Sequence, residues 1–243
     1  MEDPINQPLL NNKDEEADVD IDKEISSKIQ SGFVVKVYCI LLYQLSICGV
    51  LIFLSMATEW YKNFIINNPS FLYIAIIPCF IIVLLPCCFP KVFKIVPLNY
   101  ILLTIFTIFM SYTVSIFTAF SKSQNVYVAL ILTIVMVIGL TIYAWRSEKD
   151  FTIYGGVLFI ALLLLICSSF LMWFFPRVTI VEIILDIIGL LIFSMYVIYD
   201  TQLLMQNKRY HYESDDYILA AMNLYLDIIN IFIELLSIMN NSN

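Results

Sequence analysis

The chain has 243 residues, of which 61% are hydrophobic and 14% charged, whereas soluble domains average about 25% charged. A chain this short cannot hide so much apolar surface from water, which excludes a soluble globular protein and points to an integral membrane protein. The formal net charge is −7, but nine of the 20 acidic residues lie between Glu2 and Glu24 and the remainder is near neutral. The acidity therefore belongs to an appendage and says nothing about a substrate.

Residues 1–31 are rich in Asp, Glu, Asn and Gln, with two prolines and no aromatic residue. They read as a disordered acidic cytoplasmic tail, whose cluster from Asp14 to Asp22 is either a solvated arm or a docking arm. A cleavable signal needs a basic start and a short apolar core, which this polar beginning lacks, so the first membrane helix is expected to direct its own insertion.

Residues 32–240 read as a membrane domain of seven apolar segments, at approximately 33–58, 71–89, 98–120, 126–145, 151–175, 178–205 and 216–239. A helix needs about 20 residues to cross the hydrocarbon core, and only the second segment is marginal. Turn-forming or charged residues separate them: Asn67-Asn68-Pro69, Pro86 to Pro97, Lys122 to Asn125, Arg146 to Asp150, Pro176-Arg177 and Gln206 to Asp216. No alternating strand pattern recurs, so a β-barrel is not expected. The predicted fold is an all-α integral membrane protein, a seven-transmembrane-helix bundle.

Basic residues set the predicted orientation. Lys13, Lys23, Lys28, Lys36, Lys91, Lys94, Arg146, Lys149, Lys208 and Arg209 fall on one side, and only Lys62, Lys122 and Arg177 on the other. Cytoplasmic loops carry the excess, so the amino terminus is expected in the cytoplasm. The acids of the last segment leave open whether it spans or dips in and returns. Trp60, Tyr61, Trp145, Trp173, Phe174 and Phe175 at segment ends read as interfacial anchors. Cys39, Cys48, Cys79, Cys87, Cys88 and Cys167 form no C-x-x-C pair, and the only histidine, His211, sits in a polar loop. Zinc and thiol-redox chemistry therefore lack ligands, and no cofactor, fixed metal or nucleic-acid partner is implied.

The chemistry is carried by acids inside apolar runs. The sixth segment holds Glu182, Asp186 and Asp200, whose spacings of 4 and 14 keep them on one narrow helix face with Gly189 and Tyr196. The seventh holds Asn223, Asp227, Asn230 and Glu234, a polar stripe at spacings 4, 3 and 4 that is expected to face inward. An aspartate at the centre of a membrane helix costs about 2.5–3.5 kcal/mol on insertion scales, so such a residue marks an ion or proton site. A short polar loop joins the two segments as antiparallel neighbours, and Asp200 and Asp227 could meet across them. Two carboxyl groups in contact would share one proton and act as a pH switch; the alternative is that each bonds only backbone. The remaining polar residues, Asn223, Asn230, Glu234, Asp186 and Glu182, are candidates for an ion path. Gln44 in the first segment suggests a helix–helix hydrogen bond.

The stretch Tyr199-Asp200-Thr201-Gln202-Leu203, followed by Leu224-Tyr225-Leu226-Asp227-Ile228-Ile229-Asn230-Ile231-Phe232, resembles the Lifeguard branch of the transmembrane Bax-inhibitor-motif family. Lys36-Val37-Tyr38 with Gln44-Leu45, Pro97-Leu98-Asn99, and Lys149-Asp150-Phe151-Thr152 support the resemblance, which covers residues 33–238. It implies a seven-helix protein of intracellular membranes, endoplasmic reticulum or Golgi, that leaks Ca2+ in a pH-sensitive way and protects against cell death. Asp200 and Asp227 match the family's paired aspartates, which latch the pore closed. The glutamate that bacterial relatives carry in the second helix has no counterpart here, since Phe71 to Phe89 holds no acid.

Other seven-helix readings fit less well. A signalling receptor would place its amino terminus outside, and a retinal protein needs a lysine inside a helix, where this chain has none between Lys36 and Lys208. An intramembrane aspartyl protease shares the Tyr-Asp pair, but Leu224-Tyr225-Leu226-Asp227 lacks the glycines around its second aspartate, so no enzyme activity is expected. A non-conducting scaffold that binds cell-death or calcium-release membrane proteins stays open.

Overall fold

The computed structural model describes residues 7–68, 70–172, 174–175, 178–205 and 216–242. The chain forms eight α-helices among these: α1 (Gln7–Ala57), α2 (Glu59–Asn67), α3 (Ser70–Cys88), α4 (Leu98–Ala119), α5 (Ser123–Arg146), α6 (Gly155–Met172), α7 (Thr179–Met205) and α8 (Tyr217–Asn241). Short 3-10 turns at Pro90–Lys94 and Phe151–Tyr154 precede α4 and α6, and no strand occurs among the described residues. Six helices are long and apolar enough to cross a membrane, or seven if α2 and α3 together form one broken span. The protein is thus an all-helical, multi-pass membrane protein. Pro78 and Pro86 lie inside α3, the segment of marginal length.

Two local readings are corrected. The helix begins at Gln7, so residues 7–31, read as disordered, continue α1. After Pro8, which the first helical turn tolerates, the stretch contains neither Pro nor Gly until Gly32, and Leu, Glu, Lys and Ala propagate a helix readily. Residues 59–67, read as part of a connection, form α2. The last segment, whose full crossing the residues left open, is one unbroken 25-residue helix. Trp173, Arg177, Lys208, Arg209 and His211 lie outside the described residues.

Helix periodicity explains the packing. On α1 the buried positions are Val37, Leu41, Gln44, Cys48, Ile52 and Ser55, spaced by three or four residues so that they form a single stripe. The stripe faces α4 in part. Gln44 Nε2 donates to Thr107 Oγ1 at 3.2 Å, and Ser55 Oγ lies 2.7 Å from Thr118 Oγ1. Both pairs are 63 residues apart, so α1 and α4 run parallel. The expected Gln44 helix–helix bond is present, while Gln44 Oε1 has no partner among the described residues. On α8, Tyr225 Oη lies 3.0 Å from Ser111 Oγ, and Asn240 Nδ2 donates to Ser121 Oγ at 2.7 Å, which makes α4 and α8 parallel as well.

α8 is the centre of the bundle: 67% of its apolar stretch is buried, against 11% for that of Phe151–Met172. Its most extensive packing is against α7. Outside this core, α3, α5 and α6 present large apolar side chains such as Phe80, Ile131 and Phe159, as lipid-facing helices do. Trp60, Trp145, Phe174 and Phe175 are exposed at segment ends, consistent with anchoring. Tyr61 instead places its hydroxyl 3.0 Å from Ser115 Oγ on α4. Cys48 and Cys79 are buried, and Cys39, Cys88 and Cys167 exposed, all as free thiols.

Candidate functional site

The seam between α7 and α8 holds the acids. The helices are antiparallel, so the end of α7 meets the beginning of α8, and Asp200 comes to face Asp227. Asp200 is 5% and Asp227 6% exposed. Their carboxyl groups are hydrogen-bonded to each other, and Asp227 Oδ2 has no partner among the described residues. An ionised carboxylate only accepts hydrogen bonds. A bond between two carboxyl groups therefore requires a proton on one of them. Tyr196, one turn before Asp200 on the same face, lies within electrostatic reach of both.

The end of α7 is tied down around this pair. Gln202 is buried and uses its whole amide: Oε1 accepts from Phe151 N–H at 2.7 Å, while Nε2 donates to Lys149 O at 2.9 Å and Ala144 O at 3.3 Å. It thereby pins the α5–α6 connection to α7. That connection is shaped in turn by Asp150, whose Oδ1 accepts from Thr152 N–H at 3.0 Å. From the other side, Gln30 Nε2 donates to Met205 O, one of the terminal carbonyls that a helix leaves unpaired. Gly155 opens α6 beneath Tyr199; a Cβ there would lie 2.8 Å from Tyr199 Oη, so only glycine lets the ring sit so close.

The other candidate path residues divide into two groups. Glu182, Asp186 and Glu234 line one cavity of about 700 Å3 at the opposite end of the seam, where α6 and α8 end and α7 begins. Asp186 and Glu234 are hydrogen-bonded across the helices, and Ser237 Oγ donates to Asp186 Oδ2 at 2.6 Å. Asn223 and Asn230 do not join them. Asn223 is exposed in the second turn of α8. Asn230 Nδ2 donates to Leu226 O of its own helix at 2.8 Å, a local bond that removes the need for an interhelical partner. The inward polar stripe of α8 therefore holds for Asp227 and Glu234, while Asn230 is half-buried and bonded within its own helix and Asn223 is exposed. Among the described residues no three His, Cys, Asp or Glu side chains gather as a metal site would require.

Three polar groups were not singled out by sequence: Gln202, Ser237 and the Ser111–Tyr225 pair to which the Cys48 thiol is also bonded. Ser237 had a signal, since it continues the α8 stripe three residues beyond Glu234. Gln202 stood inside the Tyr199–Leu203 stretch, but nothing local pointed to its partners, which are backbone groups far away in the chain; Ser111, whose partner is a distant hydroxyl, had no signal.

A buried, hydrogen-bonded acid pair on the central helices of an all-helical membrane bundle defines the class: a multi-pass membrane protein with carboxyl groups in its core. The family model described as inhibitor of apoptosis-promoting Bax1 matches residues 30–243. The chain belongs to this Bax-inhibitor family, in agreement with the resemblance read from its two aspartate motifs. Protein LIFEGUARD 4 of Arabidopsis thaliana is 35% identical over 220 residues, covering 88% of this chain and 86% of its own. Protein LIFEGUARD 1 of the same plant is 36% identical, covering 89% and 92%. Protein LIFEGUARD 2 is 40% identical over a shorter match, 59% of each chain.

Proposed function

We propose that this protein is a pH-sensitive Ca2+ leak channel of an intracellular membrane, endoplasmic reticulum or Golgi, with its amino terminus in the cytoplasm and an anti-apoptotic, cell-protective role. The family description supports the anti-apoptotic role. One observation supports the gate: two almost fully buried carboxyl groups on facing helices, bonded to each other. With the shared proton in place, the bond draws α7 and α8 together. Without it, two negative charges face each other away from water. Charges about 4 Å apart repel by about 4 kcal/mol at an effective dielectric constant of about 20, enough to push packed helices apart. Ca2+ is the permeant ion here and needs no fixed site.

Ca2+ flux into liposomes holding only this protein, measured over a pH series, tests the reading. Leak is low in acid and rises as the shared proton is lost. Asp200→Asn and Asp227→Asn each flatten the pH dependence, because an amide bonds but cannot create repulsion. The double variant adds little to either single one, since both act on one coupled unit. Two single variants with the parental profile would overturn the latch. Absence of leak at every pH would overturn the channel and favour a non-conducting scaffold for cell-death or calcium-release membrane proteins.

A further inference from the structure

The α7–α8 seam carries a second bonded carboxyl pair. Fourteen residues of α7, roughly 21 Å of helix rise, separate Asp186 from Asp200. Asp186 bonds Glu234 of α8, and this contact too requires a proton on one partner. Three features beyond the acids themselves suit the place to that role. Ser237 Oγ donates to Asp186 Oδ2 at 2.6 Å and orients the carboxyl. Gly189 leaves a notch in α7 where the Glu234 head group rests; a Cβ at Gly189 would lie 2.5 Å from Glu234 Oε1 and 2.8 Å from Cδ. The pair also lines the cavity at the end of the bundle opposite to Asp200.

We propose that Asp186 and Glu234 form a second proton-held latch, set by the pH on the far face of the membrane, so that the leak path closes at two places in series. This rests on the leak reading above. Among the described residues, the following groups line the cavity with the pair. α7 adds Glu182, the other titratable group of the cavity lining; α4 and α6 present Phe117, Ser169 and Met172; α8 adds Ser237 and Asn240. α5 reaches this end through the uncharged Asn125, which donates to Asn240 Oδ1 and Met239 O, and through Lys122 at its start, an exposed cation outside the cavity lining. With acids and neutral groups alone on the cavity wall among the described residues, loss of the proton leaves like charges facing one another, which pushes α7 from α8 at this end.

The test is Ca2+ current through the full-length protein in a planar bilayer, with the pH of the two faces set independently. The parental protein responds to pH from both faces. Glu234→Gln loses the far-face response and keeps the near-face one, and Asp227→Asn does the reverse. Gly189→Ala keeps every acid but displaces the Glu234 head group, so leak persists when the far face is acid. Infrared absorption of protonated carboxyl groups in the reconstituted protein provides a readout independent of conduction: Glu234→Gln loses a carbonyl band that Asp227→Asn retains. A parental protein that ignores far-face pH, or a Glu234→Gln variant with an unchanged far-face response and band, overturns the second latch. If the parental protein conducts at no pH, the leak reading fails, while loss of the band in Glu234→Gln alone still upholds the proton-held pair.

Discussion

α6 and α8 are both long apolar helices, yet they occupy opposite environments. α6 contains no charged residue and no Asn or Gln, and side chains such as Phe159, Ile160 and Leu164 are more than half exposed. α8 contains Asp227, Glu234 and several asparagines, and it is the helix around which the others pack. Hydrophobicity therefore does not decide what is buried here. Lipid accepts an apolar side chain as readily as another helix does, so nothing drives α6 inward. A carboxyl or hydroxyl group without a partner costs several kcal/mol in hydrocarbon, so the helix that carries such groups is placed where α1, α4, α5 and α7 can supply partners.

The sharpest way to break this comparison is at Tyr225. The side chain is fully buried, edge-on to Phe106, with its hydroxyl on Ser111. Tyr225→Ala should cost about 3–5 kcal/mol, the range for large aromatic truncations in a packed core. Phe159→Ala, on the exposed side of α6, should stay within about 0.5 kcal/mol. Equilibrium unfolding in mixed micelles measures both, and equal losses would show that the two helices are packed alike.

A smaller effect is expected at Gln202, which holds the α5–α6 connection against α7. Gln202→Leu leaves the Phe151 N–H and two carbonyls without their partner and should cost about 1–3 kcal/mol. Ser168→Ala on α6 removes only an exposed bond to Leu164 O within the same helix, and the same unfolding assay should register almost nothing. If the two variants match, Gln202 is not a clamp.

The smallest effect belongs to the entrance of α8. Lys94 Nζ lies 3.5 Å from Asp216 Oδ1, with the two side chains 30% and 17% exposed. Lys94→Ala should cost at most about 1 kcal/mol, and the difference from the parental protein should shrink as salt is added. A loss that salt leaves unchanged would mean that the lysine acts through the packing of its stem.

Much of this architecture was legible in the residues. The apolar segments predicted at 98–120, 178–205 and 216–239 match α4, α7 and α8 to within two residues at each end, because a membrane helix has to be apolar over the thickness of the bilayer and its breaks need turn or charged residues. The meeting of Asp200 with Asp227 was legible for a related reason: a short connection makes two helices antiparallel neighbours, and buried acids seek partners. The helical stretch from Gln7 was not legible, since a polar, acidic composition describes what a segment cannot bury and leaves its local backbone preference open. Residue type alone thus marked which segments are apolar enough to cross a membrane, which acids lie within them, and the family to which the chain belongs.

Tertiary structure decided how the acids are shared out. Periodicity put Asn223, Asp227, Asn230 and Glu234 on one face, but Asn223 is exposed, and a bond within its own helix satisfies Asn230. Whether Glu234 reaches Asp186 depends on the register of α7 against α8 and on the missing Cβ at Gly189. The sequence lists the groups that need partners, and only the packing of helices distant in the chain determines which partner each one meets.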